Sequence, residues 1–223
     1  MKFSSALVMD TAEQLQGPGE AGAYWMRGVK SLRVKEPVMG SAYPISVLPT
    51  TDPYSDTRRQ TWFDILDHCP HGSVPVIVVR GTLTGAVLGD VVAARLRYLQ
   101  IPGAIVDGVV RDLDAIASLG FSVWAKEVSM VGANPGRFVA TAETSVTSDG
   151  TLISRGDLII ADTDGVVVVP QTLEQAMLEL GRYLGEAEEL SQHQVESGAP
   201  LVTAYPSKAD LVKSWRQVHP PGS

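Results

Sequence analysis

A chain of 223 residues, 44% of them hydrophobic, can bury a sizeable core in one domain and is too apolar for a disordered segment. A formal net charge of −7 removes the electrostatic case for a nucleic-acid partner. One cysteine excludes an intrachain disulfide framework, no apolar run reaches membrane-spanning length, and the Ala6–Met9 run is too short for a signal-peptide core, so the expectation is a soluble cytoplasmic protein with no membrane partner.

Residues 1–34 mix small and polar residues. Helical hints run over Thr11–Gln16, and a Tyr24-Trp25-Met26 patch is expected to pack. Pro37–Leu48 reads as a strand pair or one bent strand, interrupted by Gly40 and Pro44. Thr50–Arg59 is polar and predicts an exposed loop, and Thr61–Asp67 a short helix. His68-Cys69-Pro70-His71 packs three metal-ligand side chains into four residues. Pro70 stiffens that turn, no second ligand pair follows at zinc spacing, and His193 and His219 are isolated, so the segment reads as a loop. Val74–Val79 is a continuous apolar run, the pattern of a strand buried on both faces. Arg80-Gly81 ends it, and Thr82–Thr84 leads on.

The organising stretch is Gly85–Gly120. Gly85 and Gly89 open a helix carrying Val91, Val92, Leu96 and Leu99 at helical spacing, with Arg95 and Arg97 elsewhere on its circumference. Gly103 is expected to break it. Ala104-Ile105-Val106 reads as a short strand and Asp107-Gly108 as a turn. Val109-Val110-Arg111-Asp112 leads into a second helix that ends at Gly120.

Phe121–Ala125 is a further strand candidate. Lys126–Gly136, with Ser129 and Asn134, reads as a loop able to cover a site, and Phe138–Val146 as a strand. Asp149-Gly150 is a turn signal. Leu158-Ile159-Ile160 and Val166–Val169 read as strands joined at Asp162-Thr163-Asp164-Gly165. The D-x-D start resembles a calcium loop, but its glycine comes too early and Leu173 stands where the bidentate Glu belongs. Asp162 and Asp164 are therefore read as turn formers. Thr172–Gln194 predicts a long helix with a Thr172/Gln175 capping box, an apolar face of Met177, Leu180, Leu184 and Ala187, and solvated Glu186, Glu188 and Glu189. Gly198–Pro200 ends it. The tail 199–223 reads as irregular, anchored by Tyr205 and Trp215.

Two loops thus face each other across one strand–helix unit. One offers a helix N-terminus and Asp90; the other offers Arg111 and Asp112. Unpaired N–H groups at a helix start suit a carboxylate or phosphate. An arginine adds a planar cationic fork, and a neighbouring carboxylate can hold a hard cation such as Mg²⁺. A 2-oxo acid fits that combination. Read alone, Arg111-Asp112 is equally a surface ion pair with an N-cap, and Asp90 a first-turn residue favoured by the helix dipole.

GDVVAARLRYLQIPGAIVDGVVRDLDAIASLGFSVWAKEVS and GDLIIADTDGVVVVP resemble the core of the RraA-like family. That family includes class II pyruvate aldolases acting on 4-hydroxy-4-methyl-2-oxoglutarate. The likeness covers about residues 35 to 190 of a single domain spanning 1–223. It implies an α/β fold of the swivelling β/β/α type, with a central β core and flanking helices, assembled as a homotrimer or homohexamer. It implies that Gly89, Asp90, Val91 and Val92 form the substrate turn and that Arg111 binds the keto acid. Asp112 would ligate Mg²⁺ or Mn²⁺, and Asp90 would hold a metal-bound water. The implied activity is a carbon–carbon lyase working through a pyruvate enolate. It would cleave 4-hydroxy-4-methyl-2-oxoglutarate, decarboxylate oxaloacetate, or both. Two alternatives accompany the resemblance: a specialised enzyme using the same site on a larger substrate, and a non-catalytic regulator binding a ribonuclease.

Overall fold

A computed structural model describes residues 3–16, 24–83 and 85–218. Thr84, His219 and the end of the tail lie outside the described residues. The architecture is mixed α/β: a central sheet with helices packed around it, as the resemblance implies.

The N-terminal segment carries a full helix, α1 (Ser5–Gln16), and an edge strand, β1 (Lys30–Arg33). Pro37–Leu48 proves to be one strand, β2 (Val38–Pro49). The helix expected at Thr61 starts earlier, as α2 (Asp56–Asp67), because Ser55 caps it: its side chain accepts from Arg58 N–H at 3.3 Å. The turn-like composition of Thr50–Arg59 therefore ends at Ser55. β3 (Val74–Val79) runs parallel to β2, with Val76, Val78 and Val74 in one core cluster and Ile77 in the other. Both faces of the strand are buried, which explains the unbroken apolar run.

α3 (Asp90–Tyr98) stops at Gln100, which takes a left-handed φ of 58°. Gly103 is not the breaker; it opens β4 (Gly103–Val110). The predicted Asp107-Gly108 turn lies inside that strand, at an irregularity in its pairing with β5 (Ser122–Val128). Asp107 is buried there because Lys126 Nζ reaches its carboxylate at 2.6 Å and the Ser148 hydroxyl donates to it. α4 (Leu113–Leu119) follows β4 and ends at Gly120 in the left-handed region, as expected.

Phe138–Val146 divides into β6 (Phe138–Ala142) and β7 (Ser145–Ser148), and β7 pairs with β8 (Thr151–Ser154) across the Asp149-Gly150 turn. β9 (Leu158–Ala161) and β10 (Val166–Val169) form the expected hairpin. The sheet order is β1-β5-β4-β3-β2-β9-β10, and β6 adds to β2 beyond its contact with β9. α5 (Gln171–Glu196) lacks the predicted capping box. Gln175 bonds Glu179 instead, and Asp157 Oδ1 accepts the Gln171 N–H at 3.2 Å, so the cap comes from outside the helix. The tail is helical rather than irregular, with α6 (Leu201–Ala204) and α7 (Lys208–Val218). Trp215 and Leu211 pack with Leu180 and Leu184 of α5.

Candidate functional site

Four strands, β2 to β5, run parallel, and the helices α2, α3 and α4 connect them. In such sheets ligands sit outside the carboxyl ends of the strands. Arg111 and Asp112 stand at the carboxyl end of β4, one residue before α4 begins.

The Gly89 and Arg111 turns are held side by side by main-chain bonds. Val87 N–H donates to Val109 O at 3.0 Å, and Arg111 N–H donates to Leu88 O at 3.1 Å. A third segment joins them: Ala86 N–H donates to Val131 O at 2.8 Å, and Ala133 N–H to Ala86 O at 2.9 Å. The loop after β5 is thereby tied to the same place and lines the site, while Lys126–Val128, expected in that loop, belong to β5. Together they enclose a hollow of about 420 Å³. Gly89, Asp90, Val91, Val92 and Arg111 form one side; Gly132, Ala133, Asn134 and Pro135 form another; Trp62 and Phe63 of α2 form the third.

Two glycines make the convergence possible. A Cβ on Gly89 would stand 2.7 Å from Asp112 Oδ2 and 3.1 Å from Arg111 Nε, and one on Gly132 would stand 2.8 Å from Arg111 Nη1. The first turn of α3 has a glycine as its N-cap, which supplies no side-chain acceptor. Asp90 Oδ1 accepts the Val91 N–H at 2.8 Å. Val91 does not pack into the core as its helical spacing suggests: it is 77% exposed, and Ala93 and Leu96 carry the buried face.

Asp112 makes the ion pair expected of its turn but not the side-chain cap. An N-cap aspartate normally has extended backbone angles and accepts a bond from its own helix. Asp112 has φ 60° and ψ 37°, and it makes no side-chain cap bond. Its Oδ2 lies 3.1 Å from Arg111 Nε instead. That pair is partly exposed and stabilises by about 0–1 kcal/mol, and aspartate is one of the residues that enters the left-handed region singly. The Asp112 main-chain carbonyl accepts the Ile116 N–H at 3.0 Å, so the backbone caps α4 while the carboxylate turns away to Arg111.

The donors present suit a hard cation. Mg²⁺ uses one or two protein carboxylates and keeps several waters. Asp90 lines the cavity, and Asp112 lies against Gly89 and Arg111 of its wall, so two carboxylates are available. Among the described residues no group of three or more His, Cys, Asp or Glu side chains gathers, so a closed cage has no donors. The His68–His71 segment is spent locally: the His68 ring meets Asp64 O at 2.7 Å, Cys69 is buried, and His71 pairs with Gln100.

The RraA-like profile, Aldolase/RraA, matches residues 5–168. The chain belongs to the RraA-like family. Among relatives of this RraA-like protein is one from Halalkalibacterium halodurans, provisionally named a 4-hydroxy-4-methyl-2-oxoglutarate aldolase. It is 29% identical over 137 residues, which is 61% of this chain and 65% of that protein. The match therefore spans less than two thirds of that relative's length. A crystal structure of an uncharacterised Pseudomonas syringae protein superposes with a TM-score of 0.76 at 25% identity, covering 91% of this chain and 92% of that one. The Streptomyces coelicolor protein RraAS2, described as an unusual member of the RNase ES inhibitor RraA family, gives a TM-score of 0.74 at 25% identity, covering 86% and 93%.

The structure brings Gly89, Asp90, Val91, Val92 and Arg111 to one cavity wall and sets Asp112 against two of them. Trp62, Phe63 and Gly132 are part of the same surface and carried no functional signal in the sequence, since an aromatic pair on a helix and a loop glycine occur everywhere. Among the described residues no helix is long and apolar enough to cross a membrane.

Proposed function

We propose that the chain is a divalent-metal-dependent lyase that breaks a carbon–carbon bond of a 2-oxo acid and releases pyruvate. The observation that carries this reading is Asp112: a carboxylate that makes no side-chain cap bond, placed beside Arg111 and tight against Gly89. Asp112 would hold Mg²⁺ or Mn²⁺, with Asp90 holding a water beside it; when bound, the ion supplies Lewis-acid charge at the substrate's keto oxygen.

The chain's own groups do the rest. Arg111 donates to the 2-oxo acid end and stabilises the negative charge that develops as the bond beyond the ketone breaks. The N-terminus of α3 adds a favourable dipole at the same end. In an aldol substrate the C4 hydroxyl loses its proton and becomes a carbonyl. The electron pair of the C3–C4 bond passes into the pyruvate enolate, and C3 then takes up a proton. In oxaloacetate the same pair is released by loss of CO₂. Asp90 holds the water that accepts the hydroxyl proton. Trp62, Phe63 and Val87 limit the access of bulk water. The assembly is a homotrimer or hexamer working in the cytoplasm.

The test is pyruvate release from 4-hydroxy-4-methyl-2-oxoglutarate and from oxaloacetate, with Mg²⁺, Mn²⁺ or EDTA, after subtracting decarboxylation by free metal. Metal-dependent release supports the lyase. No release from either substrate rejects activity on these two dicarboxylates. The likeness to the Streptomyces protein favours a second reading, a regulator that binds another protein. The same assay separates the two.

A further inference from the structure

The candidate site does not end at its own wall. A second hollow of about 390 Å³ lies between α2 and α3, lined by Phe63, Leu66, Asp67, Val91, Val92 and Arg95. Phe63, Val91 and Val92 line both hollows, which therefore adjoin along α3. The one cation among the described residues lining the annex, Arg95, is already paired. Arg95 Nε is bound to Asp67 Oδ1 at 2.8 Å, and its guanidinium lies over Tyr98 at 5.2 Å. Arg59 rides over the Phe63 ring at 4.9 Å but does not line the hollow. Among the described lining residues the charges therefore cancel in each hollow: Asp90 with Arg111 in the first, Asp67 with Arg95 in the second. What remains toward α2 is apolar, and Val91 is 77% exposed on it.

Resting on the lyase reading, we infer that the group beyond the cleaved bond is apolar and occupies this annex. The substrate class is a monocarboxylate 4-hydroxy-2-oxo acid with an alkyl or aryl substituent at C4. Cleavage breaks C3–C4, and the C4 hydroxyl gives up its proton as C4 becomes the carbonyl of an apolar aldehyde. The electron pair moves into pyruvate enolate, and C3 gains a proton. No oxidant, reductant or second substrate is needed. A dicarboxylate such as 4-hydroxy-4-methyl-2-oxoglutarate would bring a charge into the annex with no unpaired cation to meet it, which is unfavourable.

The experiment is a series of kcat/KM values for 4-hydroxy-2-oxo acids with methyl, propyl and pentyl groups at C4, beside 4-hydroxy-4-methyl-2-oxoglutarate and oxaloacetate, in wild type and Val91→Arg. Burial in the annex predicts a rise of about fourfold per added methylene until the hollow fills. Val91→Arg, an exposed position that the fold tolerates, should flatten that slope. It should also raise the ratio of dicarboxylate to alkyl substrate by about tenfold. Reading slopes and ratios removes any uniform loss of activity. Metal-dependent release from oxaloacetate with a flat or falling alkyl series overturns the annex and leaves the lyase standing. A flat series with Val91 covered by a second copy of the chain overturns it too. No pyruvate from any substrate removes both.

Discussion

Gly89→Ala is the most informative single change, because its effects on fold and on chemistry should separate. Gly89 has φ −138° and ψ −167°, extended angles that alanine adopts without strain. The three atoms nearest the added Cβ belong to side chains: Asp112 Oδ2 at 2.7 Å, Arg111 Nε at 3.1 Å and Arg111 Cγ at 3.2 Å. Ordinary contact begins at 3.4 Å, so the Asp112 carboxylate must retreat by about 0.7 Å and Arg111 by a few tenths. Both side chains are partly exposed and have room to move. Folding stability should therefore change by less than about 1 kcal/mol, the range of substitutions that touch no core. Misplacement of a positioned group by about 1 Å costs about 10²-fold in rate. Metal-dependent pyruvate release should fall by about that factor while the thermal midpoint moves by no more than about 4 °C. Activity within threefold of wild type would refute the claim that the close approach of Gly89 to Asp112 matters. A collapse of the fold would refute the claim that the clash is absorbed by side chains.

Asp162 is nearly buried and accepts bonds from Ser5 N at 2.7 Å, Ser5 Oγ at 2.6 Å, Asp164 N at 2.9 Å and Gly165 N at 3.3 Å. Burial alone would raise its pKa, but those donors hold it below the usual carboxylate value. Its contribution to stability is present above the ordinary aspartate pKa and is lost as pH falls through the lowered one. Asp162→Asn sets an amide against the Ser5 N–H and should cost about 2–3 kcal/mol in a urea melt at pH 7, with the difference shrinking below about pH 4. Lys126 loses some affinity for its proton by burial, but Asp107 and Asp149, at 2.6 and 2.9 Å, more than offset this and raise its pKa above 10.5. The stabilisation is present below that value and is lost as pH climbs through the raised pKa. Lys126→Met should destabilise by about 2–3 kcal/mol by stranding Asp107, measured by chemical denaturation at pH 7. Burial pushes the Cys69 thiol up to about 11, against a smaller opposing bond to Ser73. Native protein at pH 8 should resist iodoacetamide over an hour and react fully in denaturant.

Periodicity read well wherever burial imposed it. Val74–Val79 had to be a strand covered on both sides, and the Leu158–Ile160 and Val166–Val169 runs had to meet at the Asp162 turn. It failed where a long-range partner overrode local chemistry. Asp107-Gly108 looks like a turn by itself, and only Lys126 and Ser148 make its carboxylate tolerable inside a strand. The cap of α5 comes from Asp157, fourteen positions before the residue it serves, rather than from Thr172. Gln100, a weaker left-handed candidate than Gly103, ends α3. For the site, the Gly89 and Arg111 turns were visible in the chain because their residues carry charge and conformational freedom. The Trp62–Phe63 wall was not, because aromatic residues on a helix usually signal only core, and Trp62 is indeed packed edge-on against Phe138 at 5.5 Å.

The central claim is that Arg111 and Asp112 form the reacting end of a metal-dependent lyase site. The direct measurement is the rate of metal-dependent pyruvate formation from oxaloacetate for wild type, Arg111→Ala and Asp112→Asn, with spontaneous decarboxylation subtracted. Loss of at least about 10²-fold in both variants, with thermal midpoints close to wild type, is the predicted result. Turnover that persists in Asp112→Asn at the wild-type metal requirement would contradict it.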